Sequence, residues 1–443
     1  MRTRIDVEFV GDRDGTAAFT WGQRGIWDAM ATNRQTWNLS YVVELADVRA
    51  DVDSVVDAIG RLLVRHESLR TVVRVAEGSP LQVVVRSGSL PVLTVTSGAA
   101  EARDTAMTLR RELVEPPFDH GTELPVRINL VEVDGVVWHA VFVYSHVAVD
   151  FGAAQVIHED LRHVLATGSF PGEAGLQPLD LARREASAGA AVTSRAVRYW
   201  TEQLRRIPPT TLSSSGPLHD PPVQEGVLMS TALRAAAKRV AARHGTTAST
   251  AVLAACAMIL GRWTGHSVVA LNMPVGNRFK EEHRRLTTNL VQHGLFVLDL
   301  PPGGTLDDIV PLAVKSAMRA YRYAYYDQTA LDRARAEIDA ERGEQINPLC
   351  CFQNLDNVFD EPDALDGLPD GDIAEKLVDS QFAWGVEDAP SRCHFCLKVG
   401  PWRGEDQAVR LTANTAYLPP DRIGGFLREL EGVLVSSAVP PRS

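Results

Sequence analysis

The 443-residue chain is short of positive charge: 45 Lys and Arg stand against 56 Asp and Glu, a formal net charge of −11. Nucleic-acid binding is dominated by clustered cations that neutralise phosphates, so this balance, without a basic stripe, argues against such a partner. No run of roughly 18 apolar residues is present, as a membrane span would need. The first residues, Met1 to Glu8, lack the apolar core of a secretion signal, and the expected location is the cytoplasm. Cysteine is scarce: five residues, an odd number, suggest reduced thiols rather than a disulfide framework. Cys393-His394-Phe395-Cys396 invites a metal reading with Cys350 and Cys351, but a strand running on through Val399 would turn Cys393 and Cys396 to opposite faces. No metal is expected. A phosphate cradle of the Gly-x-x-x-x-Gly-Lys type is also missing.

What is there suits a two-lobed α/β protein. The length exceeds one ordinary domain, and 45% apolar content supplies two cores. Val52, Val55, Val56, Ile59 and Leu62-Leu63 recur at helical spacing and predict an amphipathic helix ending at Arg65-His66-Glu67. Strands are expected at 69–75, 81–86, 125–133 and 136–145, with a helix at 101–114. Residues 171–190 read as a connection between a first lobe (1–170) and a second (191–443). In the second lobe helices are expected near 191–205, 232–244, 248–264, 306–326 and 421–436, and strands near 268–273, 294–300, 348–354, 393–399 and 408–415. Asp356 to Asp379 is acidic and rich in Gly, Pro and Asp, as a solvated loop is.

The chemistry gathers at Tyr144-Ser145-His146-Val147-Ala148-Val149-Asp150-Phe151-Gly152, between a buried strand and a helix over 153–162. Period two along the strand puts Trp138, Ala140, Phe142, Tyr144 and His146 on one face and Ser145 on the other. A neutral imidazole takes a proton from a hydroxyl or amine near pH 7, and a glycine backbone lets an N–H approach an oxyanion. Asp150, if buried, needs a cationic partner, although an aspartate before a helix is also a common N-cap.

This stretch resembles the His-x-x-x-Asp-Gly core of the condensation-domain and chloramphenicol-acetyltransferase-like superfamily, with Ser145 where condensation domains carry a first histidine. Other pieces follow in the family's order. Thr20-Trp21-Gly22-Gln23-Arg24-Gly25-Ile26-Trp27 is similar to Ser-x-x-Gln-x-x-x-Trp, and Arg65-His66-Glu67-Ser68-Leu69-Arg70-Thr71 matches Arg-His-Glu-x-Leu-Arg-Thr at every fixed position. Tyr199-Trp200, Gly276-Asn277-Arg278, Asn347-Pro348-Leu349 and Gln353-Asn354 resemble later motifs. The resemblance implies two chloramphenicol-acetyltransferase-like lobes arranged as a V with a tunnel between them, and a latch segment in the second lobe, for which Asp356 to Asp379 or its continuation through Trp384 is a candidate. It implies catalysis by His146 and the Gly152 backbone and support from Asp150 paired with Arg278. Asn354 ends a buried-looking strand, where an amide aimed at the substrate carbonyl and a turn-initiating asparagine are both open. Tyr144 shares the face expected for His146 and is expected to contact the substrate. Gln23 and Trp27 lie four apart on a predicted helix, on one face, where substrate contact and packing are equally open. Arg65, His66, Glu67 and Arg70 read as structural.

The expected function is transfer of a thioester-held acyl or aminoacyl group to an amine or hydroxyl acceptor in natural-product biosynthesis. The enzyme would bind no cofactor of its own. It would handle the phosphopantetheine arm of a separate acyl or peptidyl carrier protein, with a small or carrier-bound acceptor. Two alternatives stand beside it: a non-catalytic condensation-like domain that binds or recruits, and a small-molecule acyltransferase that uses coenzyme A directly.

Overall fold

The computed structural model describes residues 2–33, 37–214, 216–354, 365, 367–385, 393–402 and 406–439. The chain divides into two compact units, Met1–Val192 with Gly276–Gln292, and Thr193–Val275 with His293–Ser443. The first unit therefore borrows a segment from within the second.

In the first unit, eight strands are β1 (Arg2–Val10), β2 (Gly15–Ala18), β3 (Asn38–Glu44), β4 (Thr71–Ala76), β5 (Ser79–Val84), β6 (Ser87–Thr96), β7 (Val126–Val133) and β8 (Val136–Ser145). The helices are α1 (Trp21–Asn33), α2 (Val52–Arg65), α3 (Ala102–Val114), α4 (Phe151–Thr167) and α5 (Pro178–Ala188). Five strands form a mixed sheet in the order β1-β6-β7-β8-β3, and β2, β5 and β4 form a small second sheet. Helix α2 starts where Asp51 accepts the N–H of Ser54, and it buries Val55, Ala58, Ile59, Leu62 and Leu63. With Ala154, Ile157 and Leu161 of α4 these side chains cover one sheet face, while Ala102, Ala106 and Leu109 of α3 cover the other. Residues 178–188, expected as connecting chain, form α5, which starts on Pro178 and buries Leu179, Leu181 and Ala182.

The second unit holds β9 (Val223–Met229), β10 (Val268–Val275), β11 (Gln292–Asp299), β12 (Cys350–Asn354), β13 (Gln381–Trp384), β14 (Phe395–Trp402) and β15 (Asp406–Asn414) in one sheet, ordered β11-β10-β12-β14-β15-β9-β13. Helix α6 (Ala190–Leu204) carries the chain in, and α7 (Thr231–His244) and α8 (Ala248–Thr264) follow. Helix α8 is apolar all round because it lies in the core: every residue from Ala248 to Gly261 except Thr250 is buried. Helices Leu306–Arg322 and Pro420–Ala438 pack on the same sheet face, and α6 with Gln328–Arg342 on the other. Tyr199 and Trp200 belong to that second core, where the Tyr199 hydroxyl donates to the Leu295 carbonyl at 2.8 Å.

Two local expectations change. Trp384 ends β13, an edge strand paired antiparallel with β9 in the second unit's own sheet, and residues 356–364 and 366 of the latch candidate lie outside the described residues. Strand β14 begins at Phe395, so Cys393 precedes it. Among the described residues no single helix is long and apolar enough to cross a membrane.

Candidate functional site

Strand β8 delivers the motif with its alternation interrupted once. Ala140, Phe142 and Tyr144 face the core under α2 and α4, and Val141 faces α3. Trp138, expected beside Ala140, packs on the α3 side instead. The pairing with β7 shifts between Val131↔His139 and Glu132↔Val137, and this bulge inserts one residue and reverses the faces before it.

The strand ends at Ser145, whose carbonyl accepts the N–H groups of Ala148 (3.0 Å) and Val149 (3.1 Å) and so curls the chain into a turn. His146 sits in that turn. Its N–H donates to the Trp37 carbonyl at 3.1 Å, and its ring Nδ1 lies 3.0 Å from the Val149 carbonyl. A carbonyl oxygen only accepts, so Nδ1 carries the ring hydrogen and Nε2 the lone pair. Burial lowers the His146 pKa from its ordinary value, outweighing the Val149 bond and the charge of Asp150. The imidazole is a neutral base near pH 7.

Asp150 is fully buried and resolves the choice between cap and ion pair by being both. It caps α4 by accepting the Ala153 N–H at 2.8 Å, and it accepts the Leu290 N–H at 2.9 Å. Arg278 grips it with two nitrogens, at 2.7 and 2.8 Å. The same guanidinium donates to the carbonyls of Gly276, Leu286 and Thr288 at 3.0 to 3.1 Å, so it also closes the borrowed segment on itself.

Gly152 is explained by this fork. A Cβ there would meet Nε, Cζ and Cδ of Arg278 at 2.9 to 3.1 Å, and the guanidinium is too firmly bonded to step aside. Phe151 intervenes between Asp150 and Gly152, so the glycine stands one residue later than in His-x-x-x-Asp-Gly. The place after the aspartate is held by an aromatic ring, 44% exposed. Helix α4 starts at Phe151, so the N–H groups of its first turn lack acceptors in the helix, and Asp150 takes only that of Ala153.

Other expected site residues fall elsewhere. Tyr144 is fully buried, its hydroxyl 3.1 Å from His158 Nε2, which makes it core and not a substrate contact. Gln23 is also buried: its side chain accepts the Thr20 N–H at 2.9 Å while its own N–H donates to the Thr20 hydroxyl, a reciprocal cap at the start of α1. Trp27 is half-buried and packs edge-on to Phe19 and His120, each with ring centroids 5.6 Å away. Asn354 closes β12 in the second unit with an exposed side chain. Ser145 is buried, its hydroxyl 3.4 Å from His120 Nδ1.

Sequence reasoning missed Asn289. Its amide donates to the carbonyl of His146 at 3.0 Å and, more weakly, to that of Gly22 at 3.4 Å, while its own oxygen accepts the Val291 N–H. Gly22 answers this contact, since a Cβ there would collide with the Asn289 carbonyl oxygen at 2.2 Å. Nothing short of the fold brings residue 289 to residue 146. The Arg65-His66-Glu67 motif works as structural glue: Arg65 and His66 reach the buried Asp160 at 3.1 and 3.0 Å, Arg285 binds the same carboxylate, and Arg13 binds Glu67.

Comparison with known proteins assigns these two mixed α/β units to a class. The condensation-domain model matches residues 14–382, so this chain belongs to the condensation-domain family. It is 25% identical over 338 residues to a linear gramicidin synthase of Brevibacillus parabrevis, covering 72% of this chain and 6% of that protein. It is 26% identical over 346 residues to phosphinothricin tripeptide synthetase PhsC of Streptomyces viridochromogenes, covering 74% and 32%. The chain thus spans at most a third of either relative's length. Its fold is similar to a structure from condensation domain-mediated chain release in the enacyloxin polyketide synthase, with a TM-score of 0.73 at 16% identity over 98% of this chain and 85% of that one.

Proposed function

We propose that this chain is a condensation-type acyltransferase. It takes an acyl or aminoacyl group held as a thioester on the phosphopantetheine arm of a carrier protein and passes it to an amine or hydroxyl. The observation that supports this most directly is His146 itself: a neutral imidazole with its hydrogen committed to the Val149 carbonyl and Nε2 left as the base. The acceptor's nitrogen or oxygen attacks the thioester carbonyl while Nε2 takes the acceptor's proton. The tetrahedral oxyanion is met by the unpaired N–H groups at the start of α4, around Gly152. Collapse breaks the C–S bond, and the proton passes to the departing thiolate. Asp150 and Arg278 hold the turn and the helix start in register, and Asn354 offers an exposed amide that we assign to the substrate.

The test is intact-mass analysis of acyl-loaded carrier proteins incubated with the chain and an acceptor amine or alcohol. Acyl loss from the carrier, matched by amide or ester product and abolished by His146→Ala, is the expected result. Recognition of a carrier's surface adds contact area that a free thioester lacks, so efficiency with a carrier-held acyl group should exceed that with the same group on coenzyme A by at least about tenfold, or about 1.4 kcal/mol. Equal efficiency would favour the coenzyme A reading. The departures at Ser145 and Phe151 favour one rival, a binding domain without catalysis; carrier affinity without any acyl loss would establish it.

A further inference from the structure

Three thiols of the second unit converge at the junction of β12 and β14. Cys351 and Cys396 are paired neighbours in the parallel register of the two strands, and Cys393, two residues ahead of β14, brings its Sγ to 2.6 Å from that of Cys351. Cys350, the next residue on β12, points the other way into the core, as strand alternation requires. The His394 N–H donates to the Leu349 carbonyl at 2.9 Å and pins the approach to β14 beside the start of β12.

A metal does not account for this arrangement. Two thiolates on one tetrahedral zinc, with Zn–S near 2.3 Å, stand about 3.8 Å apart, well beyond the separation of Cys351 and Cys393. Among the described residues no group of three or more His, Cys, Asp or Glu side chains is arranged to hold a metal. The pair is placed for a bond between the sulfurs themselves.

We propose that Cys351 and Cys393 are a dithiol that a hydroperoxide converts to a reversible disulfide. Cys393 is the entry point because it is partly exposed, whereas Cys351 and Cys396 are buried. The Cys393 thiolate attacks the peroxide, the O–O bond breaks, and the sulfur becomes a sulfenic acid as the peroxide leaves as an alcohol or water. The Cys351 sulfur then displaces that hydroxyl as water and closes the S–S bond, so two thiols lose two electrons and the peroxide gains them. The neighbouring thiols of Cys393 and Cys396, together with burial, hold the Cys351 thiol well above its ordinary range, which suits a resolving partner more than a first nucleophile. The bond joins positions 42 residues apart and closes a loop that contains β13.

The experiment treats the full chain with hydrogen peroxide under native conditions, blocks remaining thiols in denaturant, and maps unreduced peptides by fragmentation mass spectrometry. A Cys351–Cys393 linkage, two hydrogens lighter than the reduced pair and reversed by dithiothreitol, is expected in the wild type and in Cys256→Ser and Cys396→Ser. It should vanish in Cys393→Ser, while the unfolding temperature of the wild type rises on oxidation because the closed loop restricts the unfolded chain. Linkage of Cys351 to Cys396, linkage through Cys350, or conversion of Cys393 to sulfinic acid with no linkage would each overturn the proposal. The peptide map of the wild type decides the matter even if a variant folds poorly.

Discussion

Taking the charge off Asp150 leaves the Arg278 guanidinium facing a neutral amide in a fully enclosed place, and the size of the effect follows from what the carboxylate holds. It accepts two nitrogens of Arg278, the Leu290 N–H and the Ala153 N–H. Breaking one side of a buried ion pair costs about 3 to 5 kcal/mol, and losing an N-cap adds about 1 kcal/mol. Asp150→Ala thus removes a large part of the roughly 5 to 15 kcal/mol that keeps a domain folded. Asp150→Asn is the better probe, since it keeps an oxygen for Ala153. Arg278→Ala should cost about 3 to 5 kcal/mol by stranding the carboxylate. The double variant should fall short of the sum by about 2 to 4 kcal/mol, because each single change already forfeits the shared pair. Urea unfolding of the four proteins at pH 7 measures the cycle. Additivity within about 0.5 kcal/mol would refute the pair as an energetic unit.

Gly152→Ala should destabilise by about 1 to 3 kcal/mol through the clash with Arg278, and that penalty should disappear in an Arg278→Ala background; thermal unfolding of the variants checks it. His146→Ala should lower turnover by roughly 10²-fold or more without loss of folding, as expected for a lost general base, and Ser145→Ala by less than about tenfold, both read in a single-turnover transfer assay. Because burial lowers the His146 pKa, its base form persists below pH 6.5 and is lost only as pH falls through the lowered value, so the acid limb of kcat/KM should lie under 6.5. His158 is pushed down to about 4 by burial, so the unfolded chain takes up its proton first as pH falls. Between pH 6.5 and about 4 the fold should lose about 2 to 3 kcal/mol from this group, and urea midpoints in His158→Phe should show a flatter acid dependence.

Much of the fold was legible because burial writes its period into the chain. Helix α2 carries a one-sided apolar stripe, and α8 is an unbroken apolar helix between the Thr247 cap and Gly265. Strand β1 escaped notice because its inward residues Val7 and Phe9 alternate with exposed Asp6, Glu8 and Val10, a weak signal on an edge. The helix Gln328–Arg342 is nearly half charged and buries only Leu331, Ala334 and Ile338, too few for a clear stripe. At the site, residue type pointed to His146 and Asp150 and to the cation that a buried carboxylate demands, but only the family resemblance pointed to Arg278 as that cation. Residue type could not reveal that Tyr144 and Gln23 turn inward, because both choices satisfy the same pattern. Asn289 reaches the turn across 143 residues of sequence, beyond any local rule.

The borrowed segment Gly276–Gln292 also sets the order in which this protein can be made. A ribosome that has released residues 1–192 has exposed nearly the whole first unit, yet Arg278, Asn289 and the Leu290 N–H are still unsynthesised. At about 5 to 20 residues per second, the hundred or so residues still needed take about 5 to 20 s to appear. Through that interval Asp150 has no cation, and the turn of His146 has no amide from residue 289 to hold its carbonyl. The nascent first unit must wait with the turn of His146 unbraced, and its last brace arrives only after the strand β10 of the second unit has left the ribosome. A fragment cut after residue 192 would lack Arg278, Asn289 and Leu290 altogether.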